Sequence, residues 1–546
     1  MIPSLPAELV VEIGERTPRL ATKKNLRLTC SFLADVFKPH VLSTVKLDIS
    51  LGNTESGFNL LETLVEDSQS AQSTLCKHVR ALHIYSLSPS YRLTEPDADP
   101  TVDDRQKHRS SKFWHSPKTD SHTLLTPEQR LQLLLGPALK ALHHLNTLRW
   151  CWELKDYVWT YHTIMATIAD SPLCNNLIEF SLLHSGSVIM PGGGKIPSLN
   201  LPNLRKLYLR GNRISEVTFH DILPAYDSLN TLHIYRRGPY PPLLTDNVPA
   251  TISDLGLNGW VINVPRIIHG NLTSLDLGET LEYINTEFDN AQYFTREDAF
   301  NSLWNALRQE SIHLRSLAVP FRITTTLLDY LASYSGLESL AFNRNSRDWS
   351  VGDCFDLAPR FYKDVLPMHR NTLTKLSLTP EFEDKWCFGE ENIKHFAIMH
   401  QLRNLSVGVL TRGLDPDPLE LPEHSVFRTD GFLPNSVHLL LGMISSSLPN
   451  LEKLFIMKAV GFDSLGDSSV TTKHNESIKR RLHASVQSFG RSPDGLQESD
   501  LFRWVDVYVE DEIVMIKEGL ESESHKKGKK YGLETLQKFA KKLGVN

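Results

Sequence analysis

A short apolar phrase keeps returning along this chain: two aliphatic residues three apart, then a third two positions further on. Its fullest copy runs Leu204, Leu207 and Leu209 and continues to Asn212 and Ile214. Eleven others begin at Val79, Leu145, Leu177, Leu229, Ile252, Leu272, Leu314, Leu337, Leu373, Leu402 and Leu451. The last two members of each phrase are two apart, which is the period of a strand with one apolar side. A unit of this size cannot bury that side alone, so copies must stack on their neighbours.

The copy at Leu204 completes L-x-x-L-x-L-x-x-N-x-L with Ile at the last position, the leucine-rich-repeat pattern. It predicts an α/β solenoid with parallel strands on the concave face and helices on the convex face. Successive starts from 145 to 272 are 32, 27, 25, 23 and 20 residues apart, enough for a strand and a helical or 3₁₀ return. Later gaps of 42, 23, 36, 29 and 49 leave room for loops or degenerate units. Because such an array touches only nearest neighbours, one continuous domain over 49–516 is physically reasonable in a chain of 546 residues. Val505, Val507 and Val509, alternating with Asp506, Tyr508 and Glu510, read as a terminal strand. Polar or Pro-rich stretches near 88–121, 411–436 and 461–477 read as loops, the first of them disordered. The tail 517–546 holds eight Lys and four Glu and suits a short basic amphipathic helix or a frayed terminus.

Charge narrows the partners. The chain carries 58 basic and 64 acidic residues, for a formal net charge of −6, which does not favour nucleic acid. Glu8, Glu12, Glu15 and Arg16 interrupt the place where a secretory signal needs an apolar run, and no later run reaches the ~18 apolar residues of a membrane span. Six cysteines without C-x-x-C spacing read as reduced thiols. A cytoplasmic or nuclear protein with no membrane partner is expected, and the sequons at Asn271, Asn404 and Asn475 are then chance occurrences.

The first 48 residues differ from the rest. Ser4-Leu5-Pro6-Ala7-Glu8-Leu9 is a helix-start signature, with Leu9 and Ile13 on one face. A second amphipathic stretch runs Leu26 to Phe37, and Pro39 is expected to end it. Leu5-Pro6-x-Glu8-Leu9 with Ile13, then Leu26-Arg27-Leu28-Thr29-Cys30 with Phe32-Leu33, and downstream Pro39, Leu42, Val45 and Leu47, resembles an F-box. Combined with the repeats, the chain resembles the F-box/leucine-rich-repeat proteins, particularly those abundant in fungi. Gly14, Arg16 and Thr17 depart from the usual apolar helix, and Leu33 stands where an aromatic is common. The resemblance implies an all-α module over 1–48 that binds Skp1, and through it a cullin, by way of Leu5, Pro6, Leu9, Ile13, Leu26, Leu28, Phe32 and Leu33. The chain would then be the substrate-recognition subunit of an SCF-type ubiquitin ligase, with no bond chemistry of its own. The alternative is a repeat scaffold whose first helices only cap the array.

Enzyme-like fragments fail on spacing. Gly192-Gly193-Gly194-Lys195 resembles a phosphate loop, but Ile189 replaces the first Gly and Ile196 follows the Lys. Gly466-Asp467-Ser468-Ser469 lacks a downstream Asp-x-x-His, and His143-His144 lacks an H-E-x-x-H frame or nearby Cys. No catalytic residue, metal or cofactor is expected.

What remains is the outward side of the strands. There the repeats present Lys206, Tyr208 and Arg210, then Thr231, His233 and Tyr235, then Asp254, Gly256 and Asn258, with Arg149 from an earlier strand. Later strands carry smaller groups such as Ser316, Ala318, Ser339 and Ala341. Arg149, Lys206, Tyr208, Arg210, His233 and Tyr235 are the candidate contacts for a protein substrate, acidic or phosphorylated, because Arg and Tyr dominate interfaces. The plainer reading is an ordinary solvated strand face.

Overall fold

The structure is a computed structural model that describes residues 28, 31–70, 75–89, 125–153, 155–170, 172–184, 201–211, 228–236, 249–258, 270–277, 296–320, 323–343, 355–380, 383–411, 413–415, 417, 434–459, 468–489, 505–510 and 512–515. The chain is α/β and divides into two units, 1–267 and 268–546.

In the first unit the order is α1 (Ser31–Leu42), β1 (Thr44–Asp48), α2 (Thr54–Gln69), α3 (Leu75–His78), β2 (Ala81–Ser86), α4 (Pro127–Ala141), β3 (Thr147–Trp152), α5 (Val158–Asp170), α6 (Leu173–Asn176), β4 (Glu179–His184), β5 (Lys206–Gly211), β6 (Thr231–Arg236) and β7 (Asp254–Asn258). Strands β1 to β7 pair in parallel in sequence order. The second unit runs β8 (Ser274–Asp276), α7 (Arg296–Gln309), β9 (Ser316–Pro320), α8 (Thr325–Ala332), β10 (Ser339–Asn343), an irregular helical return over 355–369, β11 (Lys375–Leu378), α9 (Ile393–Ala397), β12 (Asn404–Val409), α10 (Ser436–Ser447), β13 (Lys453–Lys458), α11 (Ser468–Ser488), β14 (Asp506–Val509) and β15 (Glu512–Met515). Strands β8 to β14 are parallel neighbours in sequence order, and β15 turns back antiparallel to β14.

The spacing of the phrase explains the ladder. Between its first two apolar members lie two residues whose amides both donate to one carbonyl of the preceding copy. Arg205 and Lys206 donate to Ile178 O at 2.8 and 3.0 Å, Asn230 and Thr231 to Arg205 O at 2.9 and 3.0 Å, and Arg403 and Asn404 to Thr374 O at 2.8 and 3.0 Å. The same fork recurs in both units and fixes each strand in register with the last. The second and third members then point inward: Leu207 and Leu209, Leu232 and Ile234, Leu317 and Val319, Leu376 and Leu378 are all buried. Helices cover that side. Leu131, Leu135 and Leu139 of α4 and Leu327, Leu328 and Leu331 of α8 are buried at helical spacing. Thr126 opens α4 with a capping box, its hydroxyl accepting from Gln129 N at 3.2 Å while the Gln129 amide oxygen accepts from Thr126 N at 2.9 Å. Trp150, Trp152, Tyr161 and His184 stack as a buried aromatic group beneath β3 and β4.

Four expectations need adjustment. Pro39 does not end α1, which continues to Leu42; Val41 is buried in that last turn, and the Ser43 hydroxyl donates to His40 O at 3.0 Å. Leu42, Val45 and Leu47 restate the apolar phrase, so β1, with Val45 and Leu47 inward, begins the ladder within the segment 1–48. Residues 468–477, expected in the 461–477 loop, open helix α11, including Ser468 and Ser469; Ile478, Leu482 and Val486, four apart, bury one face. Within 411–436, Leu414 and Asp417 are buried rather than exposed, and Asn435 caps α10 by accepting from Val437 N at 2.9 Å. Arg480 holds Asp417 through both carboxylate oxygens, Nη2 to Oδ2 at 2.6 Å, so this stretch is stitched to α11. The stretch 90–124, most of the expected 88–121 loop, and the tail 517–546 lie outside the described residues.

Candidate functional site

The outward side chains of β1 to β7 stand in rows, because parallel strands in register place equivalent residues beside one another. One row reads Lys46, His83, Arg149, Ser181, Tyr208, His233 and Gly256. A second reads Thr147, Glu179, Lys206, Thr231 and Asp254, and a third reads Cys151, Leu183, Arg210 and Tyr235. The six candidates thus fall on three strands, Arg149 on β3, Lys206, Tyr208 and Arg210 on β5, and His233 and Tyr235 on β6, with β4 between the first and the others. Lys206 and Arg210 are exposed, while Tyr208, His233 and Tyr235 are half-buried.

Two sets of contacts organise the group. Arg149, 54% exposed, places Nε 2.7 Å from an oxygen of Glu179, which is only 12% exposed. The carboxylate thus holds the guanidinium while leaving most of it in solvent. At the other end His233 is clamped: Nδ1 lies 2.9 Å from the Tyr235 hydroxyl, and Nε2 lies 3.1 Å from Asp254 Oδ1. The Tyr208 ring sits 5.0 Å from that imidazole. Gly256 makes the clamp possible, since a Cβ there would meet His233 ring atoms at 2.6 and 2.7 Å and the Tyr235 hydroxyl at 3.0 Å. Burial, then the carboxylates of Glu179 and Asp254, raise the Tyr208 phenol above its ordinary value, with Arg149 opposing.

This arrangement offers cations, phenols and an imidazole fixed by its two partners on one sheet. Asp254, His233 and Tyr235 form a relay that ends on a phenol, and the imidazole nitrogens are committed to those two partners. Among the described residues no group of His, Cys, Asp and Glu could hold a metal ion. His143 and His144 are both exposed, and Gly192-Gly193-Gly194-Lys195 lies outside the described residues. The thiols of Cys76 and Cys151 are pushed up to about 12, by burial first and by Asp67 and Glu153 respectively, so neither is a nucleophile near neutral pH.

Glu179 was missed in the sequence reading, as were Lys46 and His83. Each occupies an outward position of its own phrase, so the rule that found Lys206 could have found all three.

Of the expected Skp1 contacts, Leu5, Pro6, Leu9, Ile13 and Leu26 lie outside the described residues. Leu28 is 82% exposed. Leu33 is buried with Phe37, and Phe32 and Val36 pack partly against them. Helix α1, which carries this cluster, packs on α3 and β1.

No protein-family model matches this sequence, and no curated protein matches it. Among the described residues no helix is long and apolar enough to cross a membrane.

Proposed function

We propose that this protein is a substrate receptor of an SCF-type ubiquitin ligase, a leucine-rich-repeat array led by an F-box. The observation that carries the reading is the row of outward cations and rings on β3 to β6, set on strands that recur with the apolar phrase. The array holds a target protein there through Arg149, Lys206, Tyr208, Arg210, His233 and Tyr235. Residues before β1 dock on Skp1, and Skp1 joins a cullin. The chain performs no bond chemistry; it raises the effective concentration of a target lysine near a charged E2, which requires the stiffness that a stacked ladder supplies. Cytoplasmic or nuclear residence follows from this role.

The test is co-purification of the full chain with Skp1. A stable complex is expected, weakened in Pro6→Ala and Leu9→Ala. A chain that leaves Skp1 behind overturns the ligase reading. One observation favours a second reading: the Leu33 and Phe37 cluster is buried and α1 packs on β1, as a cap over the end of an array would. That protein is a scaffold that holds partners without ubiquitin transfer, and it predicts no Skp1 binding.

A further inference from the structure

Three outward side chains on the first three strands make a group of their own. Lys46 of β1 pairs with His83 of β2, and His83 pairs with Arg149 of β3. Adjacent strands lie ~4.8 Å apart, so the two cations flank the imidazole at a separation of ~10 Å, within reach of one small anion by long side chains. Lys46 is exposed, with its Nζ 5.6 Å from the centre of the exposed Tyr85 ring. Arg149 commits Nε to Glu179, and a guanidinium has four further N–H donors. His83 is half-buried between them.

The charge balance is matched by an anion of two units once His83 takes up a proton. Lys46 and Arg149 face the single carboxylate of Glu179, which leaves the row positive with His83 neutral and more so with it protonated. The neighbouring outward residues Thr44, Thr147 and Ser181 carry no charge, and the Cys151 thiol stays protonated. A single carboxylate would satisfy one of the flanking cations. A tetrahedral oxyanion has enough oxygens to accept from Lys46, Arg149 and His83 together.

We propose that Lys46, His83 and Arg149 form a subsite for a dianionic oxyanion, carried as a phosphate monoester on the target protein. The identity of that carrier rests on the receptor reading above; the anion site does not. Burial first, then the charges of Arg149 and Lys46, hold His83 below the ordinary imidazole range, with Glu179 opposing. An anion seated between the two cations reverses the field at the ring, so binding and proton uptake reinforce one another.

Inorganic sulfate tests this cleanly, because it stays dianionic across the imidazole range and any pH dependence of its binding belongs to the protein. Calorimetry on the full chain should give sulfate affinity about tenfold tighter at pH 5.5 than at pH 8. Lys46→Gln, a change at an exposed side chain, should weaken binding about fivefold at both pH values. His83→Asn should keep the pH 8 affinity and flatten the pH dependence. Absence of saturable sulfate binding, or a pH dependence that survives in His83→Asn, overturns the subsite. Sulfate binding without a Skp1 complex removes the ligase and leaves the subsite; a Skp1 complex without sulfate binding does the reverse.

Discussion

Along β3 to β6 the outward positions carry Arg149, Lys206, Tyr208, Arg210, His233 and Tyr235 beside Thr147, Glu179, Ser181 and Thr231. Along β9 to β12 the equivalent positions carry Ser316, Ala318, Ser339, Ala341, Lys375, Ser377, Asn404 and Ser406. The ladder beneath is the same in both places, down to the paired amides that grip one carbonyl of the previous copy. Inward positions are therefore set by packing and alike in the two units, while outward positions are released from it. Where packing makes no demand, bulky charged and aromatic groups gather in the first unit, and the proposed partner surface lies there. The second unit presents a low floor that ends in the stacked Phe455 and Tyr508 rings, 4.5 Å apart.

If the inward sides are equivalent, they should fail equally. Trp150→Ala in the first unit and Trp386→Ala in the second each remove a fully buried ring and should cost about 3–5 kcal/mol, read by denaturant unfolding. A large loss in one and a negligible loss in the other would break the equivalence.

Acid should act next, through a buried base of the second unit. His369 is buried in the second unit, its Nε2 donating to Leu331 O at 3.0 Å, with Nδ1 facing the Leu337 amide at 3.4 Å. Burial lowers its pKa from 6.5 to about 4, against the upward pull of Leu331. A base with a depressed folded pKa contributes fully above the unfolded value, and that contribution is lost as pH falls from 6.5 to about 4. Over that window the native chain should lose about 3 kcal/mol relative to His369→Gln, which keeps a donor and an acceptor. Parallel stability curves for the two proteins between pH 7 and 4 would contradict this.

Smaller effects sharpen the account of the outward face. Gly256→Ala drives a methyl into the His233 ring and should cost about 1–2 kcal/mol while freeing the imidazole from Asp254 and Tyr235. Histidine ring resonances would report the release, and an unchanged His233 environment would refute the steric role of Gly256. Glu179→Gln should cost under about 1 kcal/mol in stability, since Arg149 is half in water, yet loosen Arg149 toward solvent. A loss of several kcal/mol would mean that the pair is structural rather than a positioned binding group.

The strands were largely legible in the sequence because one spacing rule generates them. Each of β2 to β13 begins two residues after its phrase, from Ala81 after Val79 to Lys453 after Leu451. The rule also covers β1 through Leu42, Val45 and Leu47, which the resemblance to a helical module had absorbed, and β14 through Trp504, Val507 and Val509, where an aromatic replaces the first aliphatic. Helix α11 was hidden because its first turns, 468–477, are mostly polar, with Val470 as their single aliphatic residue; the regular apolar spacing is Ile478, Leu482 and Val486. The site was legible in part. Arg149, Tyr208 and His233 follow from alternation, but the pairing of Arg149 with Glu179 and the clamp on His233 depend on which strand lies beside which. Gly256 illustrates the limit: in sequence it is one more small residue, and only the neighbouring ring gives it a purpose.

The central claim is that recognition resides on the outward face of β3 to β6. Proximity labelling in cells tests it with three matched chains: unmodified, Lys206→Glu with Arg210→Glu, and Lys375→Glu with Lys453→Glu. Proteins that are labelled by the unmodified chain and accumulate when it is removed should lose labelling about a hundredfold with the first pair of reversals and keep it with the second. Equal labelling by all three chains, or loss confined to the second pair, would contradict the account.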